Sequence, residues 1–366
     1  MTQRKKITWT IVATLLLAAG IVVCALRWQV WFVNPPEPVF TGDTIAYRFR
    51  TFATQPPQVA DSTTRILLLG DVHNGLSRDA YVRMAHETAP LTAYAQLGDF
   101  VERCYPYYMQ LLYRELSGTP FDTLPIIHCP GNHEYRKGLI RTLPPLWYET
   151  FPQPQNGPRD FKGSTYFVDF PNLRFIVIDT NGLQWLHDYT RTLTWLNATM
   201  AEAREAQCFV VVMMHHPVYS SAAGRFNPLI YTTFSHALHR ADLVFAGHDH
   251  TYARRLPFVN TSATTKYKLH KVNPRDTRIA SGCAFYELIT VVADTLCMQT
   301  RLLVDSASSD VYDEVRIVKH TDGSRQVEDL YQDASEIIDL PARYEGRNDG
   351  KVRRFYNRRE LRKRTR

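Results

Sequence analysis

The chain has 366 residues, 45% hydrophobic and 22% charged, enough to bury a sizeable core and to exclude a mainly disordered or fibrous protein. Its net charge of +7 is an end effect: residues 343–366 hold 11 Lys/Arg against 3 Asp/Glu, a net of +8, so the other 342 residues sum to −1. That excludes a basic nucleic-acid-binding body. The six cysteines include no C-x-x-C pair, which argues against a zinc–thiolate site and a disulfide framework and leaves buried free thiols as the expectation.

Residues 1–6 are basic, with Arg4, Lys5 and Lys6, and residues 7–25 carry no charge. Nineteen residues at about 1.5 Å rise nearly span a hydrocarbon core of about 30 Å. Trp28, Trp31 and Phe32 follow, as interfacial aromatics would. Residues 7–33 are therefore predicted to be an uncleaved transmembrane signal-anchor. The N-terminus would stay in the cytoplasm and the body outside it, periplasmic in a bacterium, lumenal or extracellular in a eukaryote. Residues 34–64 hold Pro35, Pro36, Pro38, Pro56 and Pro57 and read as a spacer, with one edge strand over Thr44–Arg50.

From Arg65 apolar runs alternate with helical patterns. Strands are predicted over Arg65–Leu69, Tyr94–Leu97, Leu124–Cys129, Thr165–Phe170, Arg174–Ile178, Phe209–Met214 and Leu243–Ala246. Helices are predicted over Arg78–Glu87, Tyr105–Leu116, Thr192–Ala206 and Pro228–His239. After Arg255 only strands follow, over Ala284–Val292, Cys297–Leu303 and Glu314–Lys319. The pattern predicts a layered α/β domain over residues 65–325 that finishes by completing a second sheet. A basic tail over residues 326–366 reads as a solvated end or as a segment attracted to anionic lipid.

Five stretches share one grammar, an apolar strand followed by a turn rich in ligand-type residues. They are Gly70-Asp71-Val72-His73, Gly98-Asp99, Gly131-Asn132-His133-Glu134, His215-His216-Pro217 and Gly247-His248-Asp249-His250. Ligands at strand ends converge on one edge of a sheet. The set is oxygen and nitrogen without sulfur, suited to Zn, Mn or Fe. Seven ligands exceed what one tetrahedral ion needs and suit two ions sharing a carboxylate.

These five motifs, in this order, resemble the calcineurin-like metallophosphoesterases over about Arg65–Arg255. The resemblance implies a four-layer α/β sandwich, two mixed β-sheets flanked by helices. It implies two divalent or trivalent metal ions and phosphate-ester hydrolysis by metal-hydroxide attack. Carried over by position, Asp71, His73 and His250 would hold the first metal. Asn132, His215 and His248 would hold the second, and Asp99 would bridge both. His133 would face the substrate and protonate the leaving oxygen, with Glu134 to orient it. The stretches around His215 and His248 are also similar to purple acid phosphatases. That group has glycine in place of His73 and a metal-binding tyrosine in place of Glu102, so a relative without tyrosinate is expected. A phosphorylated small molecule or lipid is the implied substrate, a phosphomonoester first and a phosphodiester second. A non-catalytic binding module on the same fold is the rival from another class.

Other residues receive plainer readings. His216 is expected to support its neighbours or to pack, and Asp249 to face away from the ligands or to support its neighbours. His236 and His239 read as surface residues, His128 as a core histidine with its bonds satisfied, and Asp179-Thr180-Asn181 as a structural turn. Tyr219, Tyr252, Arg136 and Arg254 are candidates to line the substrate cleft. Specificity is expected from the loops Tyr135–Lys162 and Leu256–Thr277.

Overall fold

The computed structural model describes residues 3–28, 34, 36–44, 47–53, 62–138, 140–222, 225–264, 276–281, 284–303 and 311–330. Its helices are α1 (Gln3–Trp28), α2 (Arg78–Thr88), α3 (Pro106–Leu116), α4 (Pro145–Thr150), α5 (Leu186–Glu205) and α6 (Pro228–Leu238). Its strands are β1 (Thr63–Leu69), β2 (Ala93–Gln96), β3 (Ile126–His128), β4 (Tyr166–Phe170), β5 (Leu173–Ile178), β6 (Phe209–Met214) and β7 (Leu243–Ala246). They continue with β8 (Thr251–Arg255), β9 (Phe258–Asn260), β10 (Arg278–Ser281), β11 (Phe285–Val292), β12 (Thr295–Leu302), β13 (Val311–Lys319) and β14 (Arg325–Asp329).

The strands form two seven-stranded mixed sheets, ordered β14-β13-β12-β11-β1-β2-β3 and β10-β8-β9-β7-β6-β5-β4. Period-two alternation builds the layers. Ile66 and Leu68 of β1 and Val211 and Met213 of β6 point into one core between the sheets. Leu67 and Leu69 point the other way, against Tyr81 and Met84 of α2 and Met109 and Leu112 of α3. Val210 and Val212 likewise meet Leu196 and Met200 of α5 and Ile230 and Phe234 of α6. The stack is helix, sheet, sheet, helix.

Several expectations move. The closing strands do not complete the second sheet, because β11 pairs antiparallel with β1 and extends the first. β14 pairs with β13, so the sheet continues past residue 325, where the tail was placed. Beyond residue 330 the tail lies outside the described residues. Strands β8, β9 and β10 are too short and polar for periodicity to mark them. α5 starts at Leu186 rather than Thr192, because the Asp188 carboxylate accepts the Gln184 and Trp185 amides at its first turn.

No strand forms among the described residues of 44–50, and the described spacer is not a free linker. Phe49 is buried in the core against α3, its amide donates to Thr150 O, and Arg50 O accepts from the Ile126 amide. Five cysteines are free, but only Cys104 and Cys129 are buried, and Cys283 lies outside the described residues. Among the described residues no helix is long and apolar enough to cross a membrane. In α1 the side chains are described for residues 9–25, and all are exposed.

A buried polar network joins the sheets. Arg254 of β8 pairs with Asp313 of β13 and Asp329 of β14 at 2.6 and 2.7 Å. Tyr252 donates to Asp313 at 2.7 Å. Both residues are fully buried, which removes them from the substrate cleft where they were expected. Placing a guanidinium in the interior is tolerated because two carboxylates pair with it.

Candidate metal centre

The ligand-type residues follow the carboxyl ends of five parallel strands, β1, β2 and β3 of one sheet and β6 and β7 of the other. The turns lock to one another through the backbone. Asp71 N donates to Gly98 O at 3.1 Å, His73 N to Asp99 O at 2.9 Å, and Gly247 N to His215 O at 3.1 Å. Across the sheets, His215 Nδ1 lies 3.0 Å from Leu97 O.

The packing leaves no room for side chains under the ligands. A Cβ on Gly131 would stand 2.2 Å from Asp99 Oδ1, and one on Gly98, at φ +96°, 2.6 Å from Gly131 Cα. Asp71, His73, Asp99, His248 and His250 all hold positive φ, between 51° and 68°. Non-glycine residues adopt that conformation at a cost, and its concentration here marks a site whose geometry is over-determined by its surroundings.

The seven expected ligands fall into two overlapping sets. On one side Asp71, His73 and His250 form a group whose ligand atoms lie within 4.8 Å of one another. On the other, His215 Nε2 lies 3.1 Å from Asn132 Oδ1, 3.2 Å from His248 Nδ1 and 3.4 Å from Asp99 Oδ2. Asp99 Oδ2 also lies 3.7 Å from His73 Nε2, so its carboxylate stands between the two sets. His73 Nε2 is buried and makes no hydrogen bond.

Charge fits a cation in the same place. Asp71 and Asp99 are fully buried. Burial pushes Asp71 up to about 6, with Asp99 adding and His215 opposing. Burial also raises Asp99, but His215, His133 and His73 outweigh it and hold the carboxyl well below its usual range. For His215 burial favours the neutral form, yet Asp99, Asp71 and Glu134 prevail and lift it to about 9. The positive charge these carboxylates favour on His215 is what a metal ion would bring. His248, by contrast, is kept neutral by burial beside His216 and His215, the form in which imidazole binds metal. Residues and charge both fit a metal pair.

His133 borders the bridge. Its amide donates to Asp99 Oδ1 at 2.8 Å, and its Nδ1 is 2.8 Å from Glu102 O. The carbonyl can only accept, so Nδ1 carries the proton and Nε2 is left facing the site, 4.0 Å from Asp99 Oδ2. The orienting group is thus the Glu102 carbonyl rather than Glu134. The buried Glu134 carboxylate instead accepts the amides of Asp99, Phe100, Val101 and Gly131 at 2.7–3.3 Å and holds the bridging turn in shape. The Glu102 carboxylate stands 3.3 Å from His73 Nδ1.

The remaining candidates separate. His216 is tied to the Thr180 hydroxyl at 2.9 Å, lines the pocket, and shares a ligand-atom group with His215 and His248. Asp249 accepts from Ser220, Ser221 and Ala222, a supporting role as expected. Tyr219 turns away, its hydroxyl 3.1 Å from His239 Nε2. Arg136 is exposed and bridges to Thr142 by its backbone. Asp179 holds its own turn by accepting the Asn181 and Gly182 amides, as a structural turn should.

The centre opens into a cavity of about 470 Å³ lined also by Tyr135, Lys137, Arg141 and Arg225. The sequence singled out none of these three cations. Tyr135, Lys137 and Arg141 come from the loop expected to set specificity, whereas Arg225 arrives from a segment with no motif. Arg225 donates to the carbonyl of His248. A wider apolar groove of about 860 Å³ on α5, lined by Leu186, Arg191 and Trp195 among others, holds no ligand cluster among the described residues.

The calcineurin-like phosphoesterase family matches residues 64–252, just over half of the chain. The chain belongs to that family. The family implies a dinuclear metal centre where the two ligand sets meet. Among curated relatives, glycerophosphodiester phosphodiesterase GpdQ of Enterobacter lignolyticus (strain SCF1) is 25% identical over 185 residues, 48% of this chain and 62% of that protein. The chain thus matches less than two thirds of that relative's length. Among solved structures, purple acid phosphatase PPD1 from yellow lupin (Lupinus luteus) seeds matches with a TM-score of 0.54 and 16% identity, covering 74% of this chain and 56% of that one. GAP50, the anchor in the inner membrane complex of Plasmodium, matches at 0.51 and 12% identity, covering 81% and 94%. At these identities the two structures speak for the fold alone.

Proposed function

We propose that the protein is a membrane-anchored, dinuclear-metal phosphoesterase that hydrolyses phosphate monoesters outside the cytoplasm. The observation that carries the chemistry is the Asp99 carboxylate standing between two ligand sets, with His133 Nε2 beside it and three cations around the cavity. Asp71, His73, Asp99 and His250 would hold one ion, and Asp99, Asn132, His215 and His248 the other. The ions would be Mn, Zn or Fe. Bound there, they supply Lewis acidity toward the phosphoryl oxygens and an activated water. His133, its Nδ1–H tied to a carbonyl, turns Nε2 to the site, where it would first take up a proton to become imidazolium and then pass it to the leaving oxygen. Lys137, Arg141 and Arg225 offset the anion that enters, which favours the doubly charged monoester. The similarity to a glycerophosphodiester phosphodiesterase supports the diester as the second reading.

The apolar stretch of α1 supports the anchoring. Residues 9–25 of α1 carry no charge, an apolar stretch of this kind is stable only when covered, and its described side chains are all exposed in the isolated chain. Arg4, Lys5 and Lys6, at the start of α1 and ahead of that stretch, favour a cytoplasmic N-terminus and a body on the far side.

The test is hydrolysis by the full-length protein in detergent, with manganese or zinc supplied, of matched chromogenic phosphate monoester and diester substrates. A preference for the monoester, abolished in Asp99→Asn together with metal uptake, is expected. A preference for the diester would replace the first reading with the second, and full activity in Asp99→Asn would remove both.

A further inference from the structure

The end of α1 is held close to the mouth of the metal centre. Asn34 lies six residues beyond Trp28, the last residue of α1. Its side-chain amide pairs with the backbone of Lys137 in both directions. Asn34 Nδ2 donates to Lys137 O, and Lys137 N donates to Asn34 Oδ1 at 3.1 Å. Lys137 lines the cavity over the metal centre. Six residues at full stretch, at about 3.3–3.6 Å each, reach about 20 Å. The cavity wall therefore cannot lie further than about 20 Å from the end of the apolar helix.

The chain after Asn34 stays on the body. Tyr107 N donates to Glu37 Oε1 at 3.2 Å, and Phe40 packs edge-on against Tyr107 with the Arg114 guanidinium 4.6 Å from its ring centre. Asn34 and its neighbours thus fasten the anchor's exit point to the side of the site instead of leaving a long tether.

Two arginines that line the cavity adjoin exposed apolar residues in the chain: Ile140, 54% exposed, precedes Arg141, and Phe226, 51% exposed, follows Arg225. Gln184 clamps the Arg141 backbone by bonds of 2.7 and 2.8 Å, and the residues after Gln184, Trp185 and Leu186, are exposed, Leu186 lining the neighbouring apolar groove on α5. Cations that reach headgroup phosphates beside apolar and aromatic side chains that enter the acyl boundary are how proteins seat on anionic bilayers. A substrate free in solution needs neither the exposed apolar residues beside these arginines nor the short tether.

We propose that the cavity opens at the surface of the membrane and that its substrate is a lipid-borne phosphoester, its phosphate drawn in by Lys137, Arg141 and Arg225 while its acyl chains stay in the bilayer. The proposal rests on the anchored-phosphoesterase reading above and adds the substrate class.

The experiment uses the full-length protein reconstituted in phosphatidylcholine vesicles doped with phosphatidic acid, a lipid monoester, or with phosphatidylglycerol, a lipid diester. Glycerol 3-phosphate and glycerophosphoglycerol serve as the water-soluble counterparts, and a chromogenic phosphate reports catalytic competence. One doped lipid should be cleaved faster than its soluble counterpart. A second protein carries a roughly 20-residue Gly/Ser insertion between residues 30 and 31. Effective concentration falls with about the −3/2 power of tether length, so lengthening six residues to about 26 should lower the vesicle rate about ninefold. The chromogenic rate should not change. Cleavage of the chromogenic substrate without cleavage of either lipid would overturn the proposal, as would a vesicle rate indifferent to the insertion. Failure on every substrate with metal supplied would instead strike the phosphoesterase reading beneath it.

Discussion

Replacing His128 with leucine should flatten the acid dependence of stability. His128 ends β3, is fully buried, and stacks on Trp147 with ring centres 5.3 Å apart and 26° between planes. Neither ring nitrogen has a hydrogen-bond partner, so the histidine expected to be satisfied in the core is not. Burial, with His215 adding, pulls its pKa down to about 3. In the unfolded chain the value is about 6.5. The unfolded state therefore takes up the proton first. The stability that depends on neutral His128 is complete above pH 6.5 and drains as pH falls toward 3, at about 1.4 kcal/mol per pH unit. Between pH 7 and pH 5 this amounts to about 2 kcal/mol. Leucine has no proton to bind, so His128→Leu should lose about 2 kcal/mol less than the parent over that interval. At pH 8 the two should nearly agree. Losing the ring stacking costs about 0.5–1.5 kcal/mol, and removing unpaired buried nitrogens recovers about 1–3 kcal/mol. Urea denaturation of both proteins at several pH values, followed by tryptophan fluorescence, measures the difference. Parallel pH curves would refute the reasoning. So would a loss of more than about 3 kcal/mol at pH 8, which would mean that the nitrogens have partners.

Three further expectations follow from the metal centre. Glu134→Ala leaves four buried amides without their acceptor and should cost more than about 3 kcal/mol and lower metal uptake. A variant that folds and binds metal normally but turns over slowly would return Glu134 to orienting His133. His133→Ala should lower kcat by about 10²–10⁴-fold with metal content unchanged, and lower it less for substrates with good leaving groups. Equal losses across leaving groups, measured on a series of phenyl phosphates, would deny it the proton-donor role. Iron-loaded protein should show no tyrosinate-to-iron visible band. Glu102 takes the tyrosine's place beside His73, and Tyr135, which does line the cavity, spends its hydroxyl on Asp179. A strong band on iron loading would contradict this.

The sequence by itself determined the chemistry of the ligands and the elements that carry them. Asp71, Asp99, Asn132, His215, His248 and His250 each follow an apolar run, and such runs become strands because alternate residues have a core to face on both sides. That signal is local, so one chain read in order displays it. Tertiary structure alone decided which of these strand ends meet, since His215 and Asp71 come from different sheets and no periodicity links them. It also decided what nearby residues do. Tyr252 and Arg254 stand two and four residues after His250, yet β8 turns them into the buried interface, where Asp313 and Asp329 meet them from strands about sixty and seventy-five residues on. Glu134 follows His133, yet four amides nearer to it than the imidazole claim its carboxylate. Arg225 has no motif around it and still reaches the cavity, and Asn34, in a stretch that reads as spacer, pairs with Lys137 on the wall of the site. A hydrogen bond or ion pair is set by distance in space, and a chain can announce which groups it owns long before folding settles which of them come within 3 Å.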